Sequence, residues 1–479
     1  MIDFFRMVSS AAFTNPFSDK RVEIDRKIVG ASDQASWDDL QEPLLELISE
    51  KIEDLKQKNK LIELVHHADL DESASAVAVS VLFSVYHQYM DSFDLLIEEQ
   101  LIVGDDSCRA PFASQCLEEL EKSGFRRVDA CRFIGIFYQI RRAYYFISKD
   151  LIGESTSMKK LRSQLWDNIF THDISWYVRC LWNKMEDFST LLLGETGTGK
   201  GAAAAAIGRS GYIPFNPKTQ KFEESFTRAF IAINLSQYPE SLIESELFGH
   251  RKGAFTGAVE KHDGLFARCS PHGAIFLDEI GDVSIPVQIK LLQVLQERTF
   301  SAVGSHEKIR FAGRVIAATN KPIDQLRQDG TFRDDFYYRL CSDLIVVPPL
   351  RQRIRETPKE LEQLIFHLVK RICGTGIKLP VMQVLKETCG KNYAWSGNVR
   401  ELEQAIRRIV LTGTYAGDSI IEPISDKPLQ IGELTARELV EKYCCDLYEI
   451  YENYGEVARK TGLDWRTVKR NIQKTENKN

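Results

Sequence analysis

The fold of this chain is decided by Leu191-Leu192-Leu193-Gly194-Glu195-Thr196-Gly197-Thr198-Gly199-Lys200. A short apolar run leads here into a glycine-rich turn that ends in a lysine. Such a turn aims several backbone N–H groups at a polyphosphate, and the lysine reaches the outer phosphates. The alanine-rich residues 202–206 favour a helix whose N-terminal dipole attracts the same anion. The stretch therefore predicts a nucleotide-binding cradle.

Gly201 departs from the usual pattern of such a cradle. A serine or threonine commonly follows the lysine and holds magnesium, whereas Gly201 has no hydroxyl. From these residues alone, a glycine-rich turn with a chance lysine stays open as the alternative.

Four further apolar runs, at residues 230–234, 274–279, 314–320 and 344–347, alternate with helical patterns. Continuous apolar strands separated by helices indicate a parallel sheet covered on both faces. Ligands of such sheets bind at the carboxyl ends of the strands, and the first four of the five runs end in polar residues. The prediction is an α/β fold with its site at that edge.

The run 274–279 ends in two carboxylates, Asp278 and Glu279. At the mouth of a phosphate site, Asp278 can hold a magnesium ion and Glu279 can polarise the attacking water. Thr319 and Asn320 end the next run and can place polar groups near the terminal phosphate. An acidic strand end facing solvent is the alternative, but the shared sheet with the glycine-rich turn favours ATP hydrolysis.

Phosphoryl transfer also needs positive charge where the leaving oxygens develop their negative charge. Arg333, Arg339 and Arg400 are candidates, although a single arginine on a helix is more often a surface charge. Residue chemistry alone does not select these three.

A second stretch, Gly253-Ala254-Phe255-Thr256-Gly257-Ala258, offers no acid or base for nucleotide chemistry. An aromatic ring on a glycine-hinged loop is either a packed turn or a contact for a partner, and composition leaves both open.

The last segment of the chain has the signature of a helix-turn-helix. Gly462 permits a turn, Asp464 caps the helix that follows, and Val468 returns to the core. A solvated basic face is the alternative to DNA binding. The residues predicted to meet phosphates or base edges are Trp465, Arg466, Thr467, Lys469 and Arg470.

The composition bounds the class of protein. A chain of 479 residues with 43% hydrophobic content suffices for about three globular domains. Ten cysteines without C-x-x-C spacing favour a reducing cytoplasm over a zinc site or a disulfide framework. No apolar run is long enough to span a bilayer, so we expect no membrane insertion. The net charge of −6 leaves room for only one small basic module.

The expected order of domains follows from these patterns. A mainly helical regulatory domain at 1–150 precedes an α/β subdomain at 151–349 and a helical lid at 350–415. A linker at 416–433 and an all-α helix-turn-helix domain at 434–479 complete the chain. The first domain has no strand–helix alternation with an acceptor aspartate, so its signal stays unknown.

Together these motifs resemble the bacterial enhancer-binding proteins, the AAA+ activators of sigma-54 RNA polymerase. The resemblance covers residues 151–412 densely and the C-terminal segment loosely, and the 253–258 loop is its most specific element. It implies that Gly253, Ala254, Phe255, Thr256, Gly257 and Ala258 touch the sigma factor. It also implies ATP contacts from Gly194, Glu195, Thr196, Gly197, Thr198, Gly199, Lys200, Gly201, Thr319, Asn320 and Arg400.

The same resemblance assigns catalytic roles. Asp278 and Glu279 correspond to the Walker B pair, with Mg²⁺ at Asp278, and Asn234 to the asparagine that restrains the catalytic glutamate. Arg333 and Arg339 correspond to the fingers supplied to a neighbouring subunit, which implies a ring, commonly a hexamer. The implied partners are sigma-54 RNA polymerase holoenzyme and double-stranded enhancer DNA, and the implied cofactors are ATP and Mg²⁺.

Three departures from the family accompany the resemblance. Gly201 stands where the family usually has glutamate, the stretch 208–228 is longer than usual, and residues 1–150 match no family sensor. Two other functions stay open: an AAA+ remodelling ATPase or chaperone acting on a different protein, and a nucleotide-gated DNA-binding repressor without productive hydrolysis.

Overall fold

The computed structural model describes residues 1–32, 37–68, 72–374, 381–389, 393–415 and 453–476, together with 440–441, 443–445 and 447–448. Two compact units divide the chain between Tyr415 and Ala416. The predicted linker at 416–433 lies outside the described residues. Within the described ranges, no helix combines the length and the apolar character needed to cross a bilayer.

The first 150 residues are mainly helical, which confirms the prediction. Their helices are α1 (Ile2–Phe13), α2 (Asp19–Val29), α3 (Trp37–Gln57), α4 (Leu61–His66), α5 (Glu72–Gln88), α6 (Met90–Val103), α7 (Phe112–Lys122) and α8 (Arg127–Asp150).

An α/β subdomain follows. Its helices are α9 (Thr156–Phe170), α10 (Ile174–Trp176), α11 (Lys200–Gly208), α12 (Phe226–Ala229), α13 (Glu240–Phe248), α14 (Leu265–Arg268), α15 (Ile285–Glu297), α16 (Ile323–Gln328) and α17 (Asp334–Leu340). Its strands are β1 (Thr190–Leu193), β2 (Phe215–Asn216), β3 (Lys221–Phe222), β4 (Phe230–Asn234), β5 (Ala274–Asp278), β6 (Thr299–Phe300), β7 (Ile309–Arg310), β8 (Arg314–Thr319) and β9 (Asp343–Val346). A π-helical turn occupies Tyr177–Leu181, and 3₁₀ turns occupy Met185–Asp187, Leu235–Gln237 and Ile280–Asp282.

The five predicted apolar runs form one parallel sheet in the order β4-β5-β8-β1-β9. Successive side chains of a strand enter different cores: Leu191 packs in one hydrophobic cluster and Leu192 in the other. Both faces of the sheet are therefore buried at its central strands, which explains why these strands are largely apolar, whereas Leu344 and Val346 of the edge strand β9 are exposed. The predicted α/β class is confirmed.

One hydrophobic core joins the N-terminal helices to this sheet. It extends from Phe5 in α1 through Phe146 in α8 to Leu192 and Ile316 in the sheet. Because the buried side chains are continuous, residues 1–150 and the α/β subdomain pack as one body within the first compact unit.

The stretch 208–228 holds the β2–β3 hairpin, and this hairpin packs on the N-terminal helices. The ring of Phe222 stacks on Tyr138 of α8 with 4.1 Å between centroids. The backbone N–H of Ala110 donates to the carbonyl of Gln220 at 2.8 Å, and the hydroxyl of Ser107 donates to the carbonyl of Phe222 at 2.7 Å. The hairpin is thus a docking element for the first 150 residues.

A small helical lid closes the first unit. Its helices are α18 (Leu350–Glu356), α19 (Lys359–Cys373), α20 (Val381–Cys389) and α21 (Asn398–Thr412), whose apolar faces form a separate core. The lid predicted from the sequence is present.

The second unit contains the two helices of the predicted helix-turn-helix, α22 (Tyr454–Thr461) and α23 (Trp465–Glu476). Gly462 between them has a left-handed φ of 68°, and Asp464 caps α23 by accepting the backbone N–H of Arg466 at 2.9 Å. Val468 is fully buried in the small core that the two helices share. The turn chemistry inferred from the sequence is confirmed.

Candidate functional site

The glycine-rich loop 194–199 joins β1 to α11, as the sequence predicts. The Lys200 ammonium at the start of α11 donates to the carbonyls of Gly194 at 2.8 Å and Glu195 at 3.1 Å. Burial lowers the pKa of Lys200, while Glu279 and Asp278 oppose that shift. The lysine therefore lies between the loop and the two carboxylates.

Gly197 needs to be glycine for two reasons. Its φ is +77°, and a Cβ at this position would lie 2.2 Å from the carbonyl oxygen of Gly397 in the lid. The hydroxyl of Thr198 donates to the carbonyl of Glu195 at 2.9 Å, which closes the loop on itself. Gly201, by contrast, is exposed in α11 with open space where a Cβ would stand.

The two carboxylates lie at the end of β5, beside the glycine-rich loop in the same sheet. Asp278 Oδ1 accepts the backbone N–H of Glu279 at 3.1 Å, and Glu279 has a left-handed φ of 56°. Burial raises the pKa of the Asp278 carboxyl, and the positive charges of Lys200 and Arg400 oppose that rise. A half-buried carboxylate facing a lysine is suited to hold a divalent cation with phosphate.

Asn320 connects the two halves of the site. Its side-chain amide donates to the hydroxyl of Thr196 at 2.8 Å, and its backbone N–H donates to Glu279 Oε2 at 3.3 Å. Thr319 is fully buried, and its hydroxyl accepts the backbone N–H of Lys321 at 3.1 Å. Asn320 thus contacts the loop and the glutamate, whereas Thr319 fixes the turn beside them.

Asn234, at the end of β4, contacts the other carboxylate of the pair. Its amide nitrogen lies 3.5 Å from Asp278 Oδ2, and its carbonyl oxygen accepts from the backbone N–H and the hydroxyl of Ser236. The restraint on Glu279 that the resemblance implies stays a prediction, because the observed contact is with Asp278.

The lid reaches the glycine-rich loop through two residues that sequence reasoning did not select, Asn398 and Arg351. The buried amide of Asn398 donates to Glu195 Oε2 at 3.1 Å and to the carbonyl of Thr196 at 3.0 Å. Arg351 pairs with both oxygens of the Glu195 carboxylate. The sequence signal for this contact was the Gly397-Asn398 pair at the start of α21. Asn398 has a left-handed φ of 55°, which asparagine tolerates better than most residues.

The three predicted arginines occupy different environments. Arg400 is exposed on α21, close enough to the loop that its charge lowers the pKa of both Lys200 and Asp278. Arg333 pairs with Asp335 at 2.7 Å at the exposed start of α17. The guanidinium of Arg339 donates two hydrogen bonds to the carbonyl of Leu295 in the same chain, at 2.7 and 2.9 Å.

The 253–258 loop follows α13 and projects its central residues into solvent. The backbone N–H of Gly253 donates to the carbonyl of Ala258 at 2.8 Å, which closes the loop at its base. Phe255 is 40% exposed although its ring lies edge-on to His250, and Thr256 is exposed. Ala254 packs against Gly304 of the neighbouring β6–β7 connection. The loop is therefore a closed, protruding tip rather than a buried turn.

In the second unit, the predicted DNA-contacting residues lie on α23. Trp465, Arg466, Lys469 and Arg470 are exposed, whereas Thr467 is half-buried. The guanidinium of Arg466 lies 5.7 Å from the Trp465 ring, and the Lys469 ammonium lies 5.9 Å from the Tyr454 ring. A basic face is thus held opposite the apolar face that contains Val468.

The strand order, the glycine-rich loop, the carboxylate pair and the lid define a P-loop nucleotide-binding domain of the AAA+ class. Residues 178–345 match the family described as the Sigma-54 interaction domain. The similarity to the Sigma-54 interaction domain thus lies within the α/β subdomain of the chain.

Three curated relatives illustrate the similarity. The DNA-binding transcriptional regulator NtrC of Rhizobium meliloti (strain 1021) is 35% identical over 289 residues, which are 58% of this chain and 56% of that protein. Regulatory protein AtoC of Escherichia coli (strain K12) is 40% identical over 269 residues, 53% of this chain and 54% of that protein. Nitrogen fixation protein VnfA of Azotobacter vinelandii is 42% identical over 224 residues, 47% of this chain and 40% of that protein.

The chain therefore spans only about half the length of these relatives. Among solved structures, NtrX from Brucella abortus in complex with ATP aligns with a TM-score of 0.42 and 20% identity, over 75% of this chain and 79% of that chain.

Proposed function

We propose that this protein is a transcriptional activator that binds enhancer DNA and hydrolyses ATP in a ring to remodel sigma-54 RNA polymerase from closed to open complexes. The observation that carries the proposal is the exposed tip of the 253–258 loop, which lies within the matched sigma-54 interaction domain. A protruding aromatic residue and a threonine with no role in nucleotide chemistry fit a contact with a protein partner.

The nucleotide site supplies the chemistry for this cycle. Lys200 and the N–H groups of the loop bind and orient the phosphates of ATP, and Arg400 adds positive charge from the lid. The Glu279 carboxylate accepts a hydrogen bond from the attacking water and so polarises it. Asn320 holds this glutamate beside Thr196. Mg²⁺, when bound at Asp278, neutralises phosphate charge; the partly buried carboxylate near Lys200 fits that ion, and Gly201 contributes no ligand.

A short route connects the nucleotide site to the loop. Asn234 contacts Asp278 at the end of β4, and the chain then passes through the Leu235–Gln237 turn and α13 into the 253–258 loop. Movement of the carboxylates during hydrolysis displaces α13 at its start and the loop tip at its end. Different contacts in the ATP and ADP states would favour different loop positions, as a population shift requires.

The test compares Thr256→Ala with Thr219→Ala, an exposed threonine in the turn of the β2–β3 hairpin. We expect Thr256→Ala to retain ATP turnover and to lose open-complex formation with sigma-54 polymerase, whereas Thr219→Ala retains both. Loss of both activities in Thr256→Ala, or of neither, argues against a dedicated coupling loop. Normal turnover without engagement of sigma-54 in any nucleotide state would instead favour a remodelling ATPase for another protein.

DNA binding is assigned to the second unit. A basic, exposed face on α23 fits the major groove, where phosphate contacts make affinity fall with salt. Removal of the residues after Gly432 should abolish enhancer binding while ATP turnover stays. Unchanged DNA affinity of the truncated chain would refute this assignment.

A further inference from the structure

A large cavity lies between the N-terminal helices and the start of the α/β subdomain. Its volume is about 680 Å³, within the range of small-molecule sites. Its walls combine apolar and aromatic side chains from several N-terminal helices with residues from α9 and the π-helical turn. Representative lining residues are Val79, Leu82, Phe133, Ile136, Tyr144 and Trp166.

The charged groups that line this cavity are mostly positive. Among the described lining residues, five are arginines and Asp129 is the single carboxylate. Arg21 and Arg141 are matched by Asp25 and Asp94, with which they form close ion pairs. These two pairs therefore contribute little net charge to the cavity.

The remaining positive charge gathers around Asp129 at the start of α8. That carboxylate lies 2.7 Å from Arg126 and 3.4 Å from Arg132, so two guanidinium groups share one acceptor. Within the described part of the chain, Arg132 Nε is buried and has no hydrogen-bond partner. Arg179 on the π-helical turn also lines the cavity. The Arg132 side chain is 31% exposed and lines the cavity, so its guanidinium would pair with an anion placed there.

In another part of the cavity wall, His87 offers an uncharged hydrogen-bond acceptor instead of a positive charge. Its Nδ1 lies 2.8 Å from the carbonyl oxygen of Phe83, so Nδ1 carries the proton and Nε2 is an acceptor. Burial lowers the pKa of His87 to about 4, so the ring is neutral at physiological pH. The negative end of a ligand is therefore matched by the arginines and not by this imidazole.

α8 connects the cavity to the nucleotide-binding helix. Arg132 and Phe133 line the cavity from α8, while Gln139 and Arg142 of the same helix donate to the carbonyls of Ser210, Arg209 and Gly211 at 2.6 to 2.8 Å. Those carbonyls directly follow α11, whose first residue is Lys200. A ligand that shifts α8 would therefore act on the far end of the helix that begins at the phosphate cradle.

We propose that this cavity binds a small organic anion with an aromatic body and that its occupancy regulates ATP turnover. The regulatory half rests on the proposed function, whereas the binding half is independent of it. The aromatic walls match the body of such a ligand, and Arg132 pairs with its carboxylate, sulfonate or comparable anionic group.

Binding is tested with two fluorescent probes of similar shape, anilinonaphthalene sulfonate and the uncharged N-phenylnaphthylamine, titrated into the full chain without nucleotide. We expect the anionic probe to bind with one-to-one stoichiometry and Arg132→Met to weaken it about tenfold, with Arg132→Lys restoring part of the loss. The neutral probe should change less than about twofold in Arg132→Met. Arg127→Met, on the same helix but outside the cavity, is the matched control.

Val79→Trp and Leu82→Trp each fill the cavity with a larger side chain. Circular dichroism shows whether each variant folds, and the second variant serves if the first does not. Either folded variant should abolish binding of both probes. Equal loss of the charged and neutral probes in Arg132→Met, or probe binding unchanged by cavity filling, would overturn the site. The same variants separate regulation from binding: ATP turnover that responds to the probe only in the unfilled chain supports the regulatory half, and unaltered turnover at saturating probe refutes it.

Discussion

Asn398 and Glu195 join the helical lid to the phosphate loop through a single hydrogen bond of 3.1 Å between the amide and the carboxylate. The second proton of the same amide goes to the carbonyl of Thr196, and the Asn398 side-chain oxygen accepts the backbone N–H of Leu350 at 2.8 Å. One buried side chain therefore sets the position of the loop relative to two lid helices. Arg351 strengthens this connection and, with Asn398, holds the pKa of the Glu195 carboxyl below its usual value.

Replacement of this amide should loosen the lid. We expect Asn398→Ala to destabilise the chain by about 1–3 kcal/mol, because the buried N–H of Leu350 loses its acceptor and the partly exposed Glu195 and Thr196 lose a donor. The KM for ATP should rise more than kcat falls, since the loop loses its support and the carboxylates do not. Thermal unfolding and steady-state kinetics measure these effects. Gln383→Ala, which removes an exposed amide on α20, is the control; equal KM values in the two variants would contradict the role of Asn398.

Arg142 should be the strongest determinant of the attachment of the N-terminal helices. Its guanidinium is fully buried, donates to the carbonyls of Arg209 and Gly211, and lies 4.3 Å from the Tyr138 ring. We expect Arg142→Met to cost about 2–3 kcal/mol, because two partly buried carbonyls lose their donor. A lowered unfolding temperature relative to Arg127→Met, an exposed change on the same helix, measures this. Equal unfolding temperatures would show that the contact is not stabilising.

His87 should make the protein sensitive to acid. Its pKa is about 4 in the folded chain and ordinarily 6.5, so between these values the unfolded chain binds a proton that the folded chain does not. Stability attributable to His87 is therefore complete above pH 6.5 and falls as the pH is lowered toward 4, by at most about 3 kcal/mol. His87→Phe should flatten the decline of unfolding temperature over this range, whereas His306→Phe in an exposed loop should not. Parallel pH curves for His87→Phe and the unaltered chain would refute the prediction.

Much of the fold could be predicted from the sequence because its signals are local. The five apolar runs, the loop that ends at Lys200 and the capped turn at Gly462 each depend on a few adjacent residues, and the structure confirms all of them. Asn398 and Arg351 escaped prediction because their partner, Glu195, lies more than 150 residues away. The hairpin in 208–228 escaped for the same reason, since its role is visible only when Phe222 meets Tyr138.

The N-terminal helices posed a different problem. Their apolar residues pack both against one another and against one face of the sheet. The amino-acid composition therefore does not change at the boundary between the N-terminal helices and the α/β subdomain. The cavity is also invisible in the sequence, because it is lined from α1 to the π-helical turn by residues with no common spacing. Local sequence patterns indicate which residues are buried, but they do not indicate where the packing of buried residues leaves a cavity.

The two candidate finger arginines should differ in mechanism. Among the described residues, the partly exposed Arg333 guanidinium pairs only with Asp335, as a residue supplied to a neighbouring subunit would require. Both hydrogen bonds of Arg339 to Leu295 instead support the end of α15. We expect Arg333→Ala to lose ATP turnover at an unchanged unfolding temperature. Arg339→Ala should lower the unfolding temperature as well, by an amount that corresponds to about 1–2 kcal/mol.

Mixing of subunits distinguishes the two roles. Glu279→Gln subunits lack the carboxylate proposed to polarise water but carry Arg333, and Arg333→Ala subunits carry Glu279. In a ring, the interface that combines an intact Glu279 with an intact Arg333 is complete, so a mixture of the two inactive proteins should recover turnover. Arg339→Ala subunits, in which the defect lies within the chain, should recover less under the same mixing. Full recovery with Arg339→Ala at an unchanged unfolding temperature would show instead that Arg339 also acts across the interface, and no recovery with Arg333→Ala would remove Arg333 from that role.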